Sequence, residues 1–149
     1  MLKITVHESV VVAASPEAVW DYTQDWRRRR EWDGSVSEVL ELVEAPRRHV
    51  KARFAGGMVF DVEYKLNDRP RMTSLAMVNG TSSWVTGGGG SWRYEARGDG
   101  TEWVQTNTLV LADRFPMRLL RPLLAVSLGW STRRAMRKAA RKIERAARG

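Results

Sequence analysis

Apolar and polar side chains alternate with a period of two through most of residues 35–111, which predicts consecutive β-strands. The clearest case is residues 58–66, where apolar side chains occupy every second position: Met58, Phe60, Val62, Tyr64 and Leu66. We place strands at 36–43, 48–55, 58–66, 71–78, 82–86, 91–96 and 101–111. Asn79-Gly80 predicts a hairpin, and the glycines at 87–90 predict a mobile connection between two strands, at the cavity mouth if a cavity exists.

The residues before this region predict one strand and two short helices. Residues 2–13 are rich in β-branched side chains and form the strand. Ser15 is a typical N-cap and Pro16 fits the first helical position. A second short helix is predicted over residues 26–32, and Gly34 ends it.

A long helix is predicted over residues 113–148, with an apolar first half and a basic second half. Asp113 can cap its first turn, and Pro116 is tolerated there. Pro122 removes the hydrogen bond to the carbonyl of Arg118, which predicts a bend near that point. Gly129 weakens the helix again, so the first half is a candidate lid or simply follows the sheet.

The predicted fold class is α+β, with residues 1–149 as a single domain. A curved antiparallel sheet of about seven strands has an inner face that needs covering, and the long helix is the element that is long and apolar enough to cover it. The sheet is therefore expected to wrap around the C-terminal helix, and the two short helices follow the first strand.

This order of elements and several short motifs resemble the START-like or SRPBCC superfamily, which has the helix-grip fold. The bacterial polyketide cyclase/dehydrase-like branch is the most similar. The matching segments are residues 14–20, Asp25, Trp32, residues 91–95, residues 98–101 and the long helix. The resemblance implies a ligand cavity between sheet and helix, in a fold that hosts carriers, cyclases and sensors alike.

The resemblance also implies that Trp92 and Tyr94 point into the cavity. We expect the wall to include two further groups of strand residues and part of the long helix: Phe60, Val62 and Tyr64; Trp103, Gln105 and Asn107; Leu120, Leu123, Leu124 and Ser127. The alternative for the aromatic residues is that they only fill the core. The alternative for Gln105 and Asn107 is a register shifted by one residue, which would turn both amides to solvent.

Composition narrows the possible chemistry. The sequence has no Cys, and its two histidines, His7 and His49, leave metal sites poorly supplied, so we expect neither a metal nor another cofactor. The first residues do not resemble a signal peptide, and no run of eighteen apolar residues occurs, so a cytoplasmic protein is expected. Acid–base catalysis needs a titratable side chain inside the cavity, and the expected wall offers only Tyr64 and Tyr94. No catalytic residue is therefore predicted.

The net charge of +8 is concentrated in the last helix. Residues 114–149 contain eleven Lys and Arg and one acidic residue, Glu144, which gives +10, whereas residues 1–113 sum to −2. Such a run is either a solvated helix face or a surface for an anionic partner. We do not expect a specific nucleic-acid partner, because the basic positions surround much of the helix.

Three functions remain open from the sequence. The first is binding or carrying a hydrophobic small molecule, such as a lipid or a polyketide-like compound. The second is an aromatase/cyclase or dehydratase, which a buried Arg, His or carboxylate in the cavity would favour. The third is association of the basic helix with an anionic lipid surface or nucleic acid. The sequence leaves the oligomeric state open.

Overall fold

A computed structural model describes residues 2–149 as seven strands, two α-helices and one 3₁₀ helix. The strands are β1 (Leu2–Val12), β2 (Val36–Val43), β3 (His49–Phe54), β4 (Val59–Asp68), β5 (Met72–Gly80), β6 (Val85–Arg97) and β7 (Gly100–Leu111). The helices are α1 (Pro16–Thr23), the 3₁₀ helix (Trp26–Glu31) and α2 (Met117–Arg148).

All neighbouring strands are antiparallel and follow the order β1-β7-β6-β5-β4-β3-β2. The two edge strands, β1 and β2, are joined in sequence through α1 and the 3₁₀ helix. The predicted α+β fold, with one antiparallel sheet and a long C-terminal helix, is therefore confirmed.

The two short helices begin at side-chain caps. The Oγ of Ser15 accepts a hydrogen bond from the backbone N–H of Ala18 at 3.2 Å, and Pro16 takes the first position of α1, as predicted. Asp25 does the same for the 3₁₀ helix, because its Oδ1 accepts from the backbone N–H of Arg27 at 3.1 Å. Each of these caps fixes the backbone at the point where its helix begins.

The region of β5 and β6 differs from the prediction. Asn79 and Gly80 belong to β5, and the turn follows at residues 81–84. The glycines at 87–90 do not interrupt a strand, because β6 runs through them and pairs with β7. Glycine lacks a side chain to show the alternating pattern but keeps its backbone hydrogen bonds. Neighbouring backbone comes close here: a Cβ on Gly89 would lie 2.8 Å from the carbonyl oxygen of Leu75.

Helix α2 begins later than predicted, at Met117, and no side chain caps it. Asp113 forms an ion pair with Arg118 instead, with Oδ1 2.5 Å from Nε. The helix has 32 residues, a length of about 48 Å, and Pro122 lies inside it. A bend at Pro122 stays a prediction.

Buried apolar side chains form three clusters on the inner face of the sheet. The first joins α1, β6, β7 and the second half of α2, with Trp103 and Met136 among its most buried members. The second lies under the 3₁₀ helix on β2, β3 and β4, and includes Trp26 and Val50. The third joins β1 to the start of α2 around Ile4.

Candidate functional site

A partly enclosed cavity of about 340 Å³ lies between the sheet, the 3₁₀ helix and the middle of α2. Its volume falls within the range of small-molecule pockets. Most of the wall is apolar, and its largest contributors are aromatic: Trp26, Trp32, Phe54, Phe60 and Trp92. A flat apolar molecule can therefore contact ring surfaces contributed by several elements.

Five of the residues expected on the wall lie there: Phe60, Val62, Trp92, Gln105 and Asn107. The side chains of β4, β6 and β7 thus face inward in the register that the alternating pattern predicted. Gln105 is buried and Asn107 is half-buried.

Three other expected residues are buried in the core but do not line the cavity. The hydroxyl of Tyr94 is 2.7 Å from Oγ1 of Thr23 and accepts a hydrogen bond from Nε2 of Gln24 at 2.8 Å. The hydroxyl of Tyr64 accepts from Nε1 of Trp26 at 2.8 Å. Trp103 packs fully buried in the first cluster. These aromatic side chains fill the interior, which is the alternative stated for them above.

The expected helix residues lie elsewhere. Leu120, Leu123 and Ser127 are exposed, and Leu124 packs against the cluster around Ile4. The side of α2 that faces the cavity carries Leu128, Ser131, Thr132 and Ala135. The first half of α2 is apolar on more than one side, so the spacing of its apolar residues did not identify the side that turns inward.

A buried arginine, which the sequence did not single out, lies on the cavity wall. The side chain of Arg29 is 9% exposed, and its guanidinium carbon is 4.3 Å, 4.8 Å and 4.6 Å from the ring centroids of Trp26, Trp32 and Trp92. Its Nε donates to Oδ2 of Asp33 at 2.9 Å. Three indole faces and one carboxylate therefore stabilise the charge inside a largely apolar wall.

The sequence did contain a signal for this position of Arg29, which is its spacing of three residues from Trp26 and from Trp32. Side chains three residues apart lie on the same side of a 3₁₀ helix, so only Arg29 among the four consecutive arginines is placed between the two tryptophans. Arg27 and Arg28 project to the surface, where Arg27 pairs with Asp25.

The carboxylate of Asp33 accepts three hydrogen bonds from neighbouring residues. Its Oδ1 accepts from the backbone N–H of Ser35 at 3.0 Å and from the hydroxyl of Ser35 at 2.5 Å, while Oδ2 accepts from Arg29. Within residues 2–149, the hydrogen bond to Asp33 is the only one made by the Arg29 side chain, which leaves both Nη groups available to a ligand. Asp33 thus positions Arg29.

A short chain of hydrogen bonds fixes the amides of β7. The Nε1 of Trp92 donates to Oδ1 of Asn107 at 3.1 Å, and Nδ2 of Asn107 donates to Oε1 of Gln105 at 2.8 Å. An indole N–H can only donate, so it orients both amides. Among the described residues, Nε2 of Gln105 has no acceptor, and neither has the buried Nε1 of Trp32.

No histidine lines the cavity within residues 2–149. The Nδ1 of His7 is 2.9 Å from Oγ1 of Thr106 at an exposed position, and Nε2 of His49 is 3.4 Å from Asp61. Burial raises the pKa of the Tyr94 phenol, so this group stays protonated near neutral pH. No group of three or more His, Asp or Glu in the described chain is arranged to hold a metal ion.

A family model described as polyketide cyclase/dehydrase and lipid transport matches residues 3–148. The chain belongs to this polyketide cyclase/dehydrase and lipid-transport family. Membership supports either hydrophobic ligand binding or cyclase-type chemistry and does not specify the ligand. A search of curated proteins gave no significant match.

Solved structures share the fold of this family member at low sequence identity. A protein from Thermus thermophilus is 20% identical with a TM-score of 0.80, over 95% of this chain and 98% of its own. The Zhui aromatase/cyclase from Streptomyces sp. R1128 is 18% identical with a TM-score of 0.81, over 98% and 96%. A START superfamily protein from Mycobacterium smegmatis is 15% identical with a TM-score of 0.74, over 96% and 99%. These likenesses support the helix-grip fold.

Proposed function

We propose that the protein binds an apolar small molecule, lipid-like or polyketide-like, whose carbonyl or other acceptor oxygen faces Arg29 and Gln105. The cavity of about 340 Å³ and its aromatic wall support the apolar part of this proposal. Family membership supports the same class of ligand.

The observation that carries the proposal is the character of the polar groups on the wall. The Nη groups of Arg29 and Nε2 of Gln105 are hydrogen-bond donors without an acceptor in residues 2–149. The carboxylate of Asp33 already accepts three hydrogen bonds. A ligand that covers these two donors separates them from water, so a ligand with acceptor oxygens gains more here than a pure hydrocarbon.

The first experiment identifies the natural ligand class. Native mass spectrometry after gentle purification would detect a bound molecule, and solvent extraction would release it for analysis. We expect an apolar compound with at least one ketone, ester or carboxylate oxygen. A bound hydrocarbon without oxygen, or a strongly polar metabolite, would contradict the proposal.

The second experiment uses two probes of similar shape, acetylnaphthalene and isopropylnaphthalene, which differ in the ketone oxygen. Binding is followed by quenching of tryptophan fluorescence, because Trp26, Trp32 and Trp92 lie on the wall. We expect the ketone to bind about tenfold more tightly, as one hydrogen bond to a charged donor allows. Substituting Arg29→Met should abolish this preference, while Arg30→Met, an exposed neighbour, should retain it.

A second candidate function is cyclase or dehydratase chemistry on a poly-β-ketone, and the buried Arg29 favours it. In an intramolecular aldol step, a methylene carbon between two ketones gives its proton to solvent hydroxide and attacks a ketone carbon, whose oxygen becomes negatively charged before it takes a proton from water. The Nη groups of Arg29 could stabilise that developing charge in the largely apolar site. Asp33 is the only carboxylate on the wall within residues 2–149. It accepts hydrogen bonds from Arg29 and Ser35 and therefore positions Arg29.

The two functions make different predictions for turnover. A cyclase converts an unreduced poly-β-ketone to a dehydrated aromatic product faster than buffer does, and Arg29→Gln slows that conversion. A carrier binds the same compound and returns it unchanged. Product analysis by liquid chromatography and mass spectrometry separates these outcomes.

A further inference from the structure

The first half of α2, together with Phe115 just before it, exposes an apolar surface that the core does not use. We call it the outer stripe, and it consists of Phe115, Leu119, Leu123, Val126 and Trp130. Their relative exposures lie between 63% and 82%. Large apolar side chains that are contiguous and exposed typically mark an interaction site.

The outer stripe is a distinct side of the helix. Its four members within α2, Leu119, Leu123, Val126 and Trp130, follow one another at steps of three or four residues, so they lie along one line of the helix. The cavity side of the same helix carries Leu128 and Thr132, which are half-buried. The stripe therefore points away from the cavity and belongs to neither the ligand wall nor the core.

The same line continues into the basic half of α2 with Arg134, Arg137 and Arg141. All three are exposed, and none has an ion-pair partner among residues 2–149, unlike Arg118 and Arg133. One side of a single helix thus joins four apolar residues to a run of unpaired arginines. Trp130 lies at the junction between them.

We propose that this side of α2 docks on an anionic lipid surface. Side chains of the outer stripe would enter the boundary between headgroups and acyl chains, and the arginines would contact lipid phosphates. Trp130 has the amphipathic ring that membrane interfaces favour. The helix lies on the surface in this arrangement, and no helix in the described chain has the length and apolar character for crossing a bilayer.

Charge favours a lipid surface over a second copy of the protein. A second copy would bring the same basic helix, with its excess of ten positive charges, beside the first one. An anionic bilayer instead supplies the opposite charge along the whole basic half. The docking does not depend on the cavity ligand, so it stands or falls separately from the proposed function.

The test is co-sedimentation of the full chain with vesicles of phosphatidylcholine alone and of an equal mixture with phosphatidylglycerol. We expect binding to the anionic vesicles that weakens as the salt concentration rises. Substituting Arg134, Arg137 and Arg141 by Gln should lower the partition coefficient about a hundredfold. Leu119→Gln with Leu123→Gln should lower it by a similar factor.

Matched control variants test whether binding depends on where the substituted residues lie, and not only on the charge or the apolar side chains that are lost. Arg27, Arg47 and Arg71 are exposed arginines outside α2, and changing these three to Gln gives the same net charge but should leave most of the binding intact. Leu66→Gln with Val78→Gln changes two exposed apolar residues on the sheet and serves as the control for the stripe. Thermal unfolding checks that every variant remains folded.

Three results would overturn the docking proposal. The first is equal binding to neutral and anionic vesicles, and the second is a loss with the control arginines as large as with the helix arginines. The third is a dimer in sedimentation equilibrium that needs Leu119 and Leu123, without vesicle binding, which would assign the stripe to a second copy.

Discussion

The indole N–H of Trp92 on β6 donates to the side-chain oxygen of Asn107 on β7 at 3.1 Å. Trp92 pairs directly with Gln105 across the two strands, so this contact is diagonal. It forces Asn107 to present its N–H groups to Gln105 and therefore forces Gln105 to present its own N–H groups to the cavity. One tryptophan thus fixes the donor character of two amides.

The first prediction concerns this arrangement. Gln105→Met removes a donor at nearly constant side-chain length, so the preference for acetylnaphthalene over isopropylnaphthalene should fall, but by less than in Arg29→Met, because the charged donor remains. Affinity for the hydrocarbon should stay within a factor of about two, because the apolar wall is retained. Thr106→Val, which changes a residue bonded to His7 and not on the cavity wall, is the control and should leave the preference unchanged. An unaltered preference in Gln105→Met would exclude a hydrogen bond from this residue.

The second prediction concerns the stability of the Arg29–Asp33 pair. Arg29→Met leaves the carboxylate of Asp33 without its cation in a site where that side chain is 14% exposed. We expect the free energy of unfolding in urea to fall by about 3 kcal/mol, the usual cost of breaking a buried pair. Arg30→Met should change it by less than about 0.5 kcal/mol, because Arg30 is exposed in the same helix. Equal losses in both variants would show that Asp33 does not depend on Arg29.

The third prediction concerns the glycines of β6. A Cβ on Gly89 would lie 2.8 Å from the carbonyl oxygen of Leu75, a backbone atom that cannot move without disturbing β5. Gly89→Ala should therefore destabilise the protein by about 1 to 3 kcal/mol in urea unfolding. Gly34→Ala is the matched control, because no atom lies within 4 Å of a Cβ there, and it should be neutral or slightly stabilising. A neutral Gly89→Ala would mean that β5 and β6 separate easily.

The fourth prediction concerns alkaline pH. Burial raises the pKa of Tyr94 above its ordinary value of 10.0, so the native phenol keeps its proton where the unfolded phenol loses it. The free energy of unfolding should therefore be independent of this group below about pH 10 and fall as the pH rises beyond it, by about 1.4 kcal/mol per pH unit.

Urea unfolding measured between about pH 9 and pH 11 tests the fourth prediction. Tyr94→Phe has no phenol at this position and should show a shallower fall. Part of the slope should remain, because burial and the hydrogen bond to Glu31 also raise the pKa of Tyr22. The same slope in wild type and Tyr94→Phe would assign the alkaline sensitivity to other groups.

The strands and their inward faces were predictable because their side chains alternate. Phe60 and Val62 on β4 show this directly, whereas the inward position of Gln105 was expected from the family resemblance, with a register shifted by one residue left open. The glycines of β6 could not be read in this way, since a residue without a side chain has no polarity to alternate. The two ends of β6 were predicted as separate strands, and their continuity through the glycines was recognisable only from the pairing with β5 and β7.

The polar part of the site was less predictable. The role of Arg29 depends on its spacing of three residues from Trp26 and from Trp32, whereas the short helix was predicted over residues 26–32 without assigning which of its four arginines faces inward. The expectation for Leu123 failed for a related reason. Its stripe and the cavity-facing stripe of α2 are both apolar, and only the docking of the helix on the sheet distinguishes them.

The position of β1 at the sheet edge has a consequence for the order of folding. β1 pairs with β7, and the contact between His7 and Thr106 joins residues 99 positions apart. The backbone N–H of Ala13 also donates to Glu144 in α2 at 2.9 Å. During synthesis, β1 must therefore remain unpaired on the ribosome until β7 has emerged, while β2 to β6 can already form local hairpins. Closure of β1 onto β7 and α2 is then a late, slow step, and the interval before it is when the nascent chain is most open to misassociation.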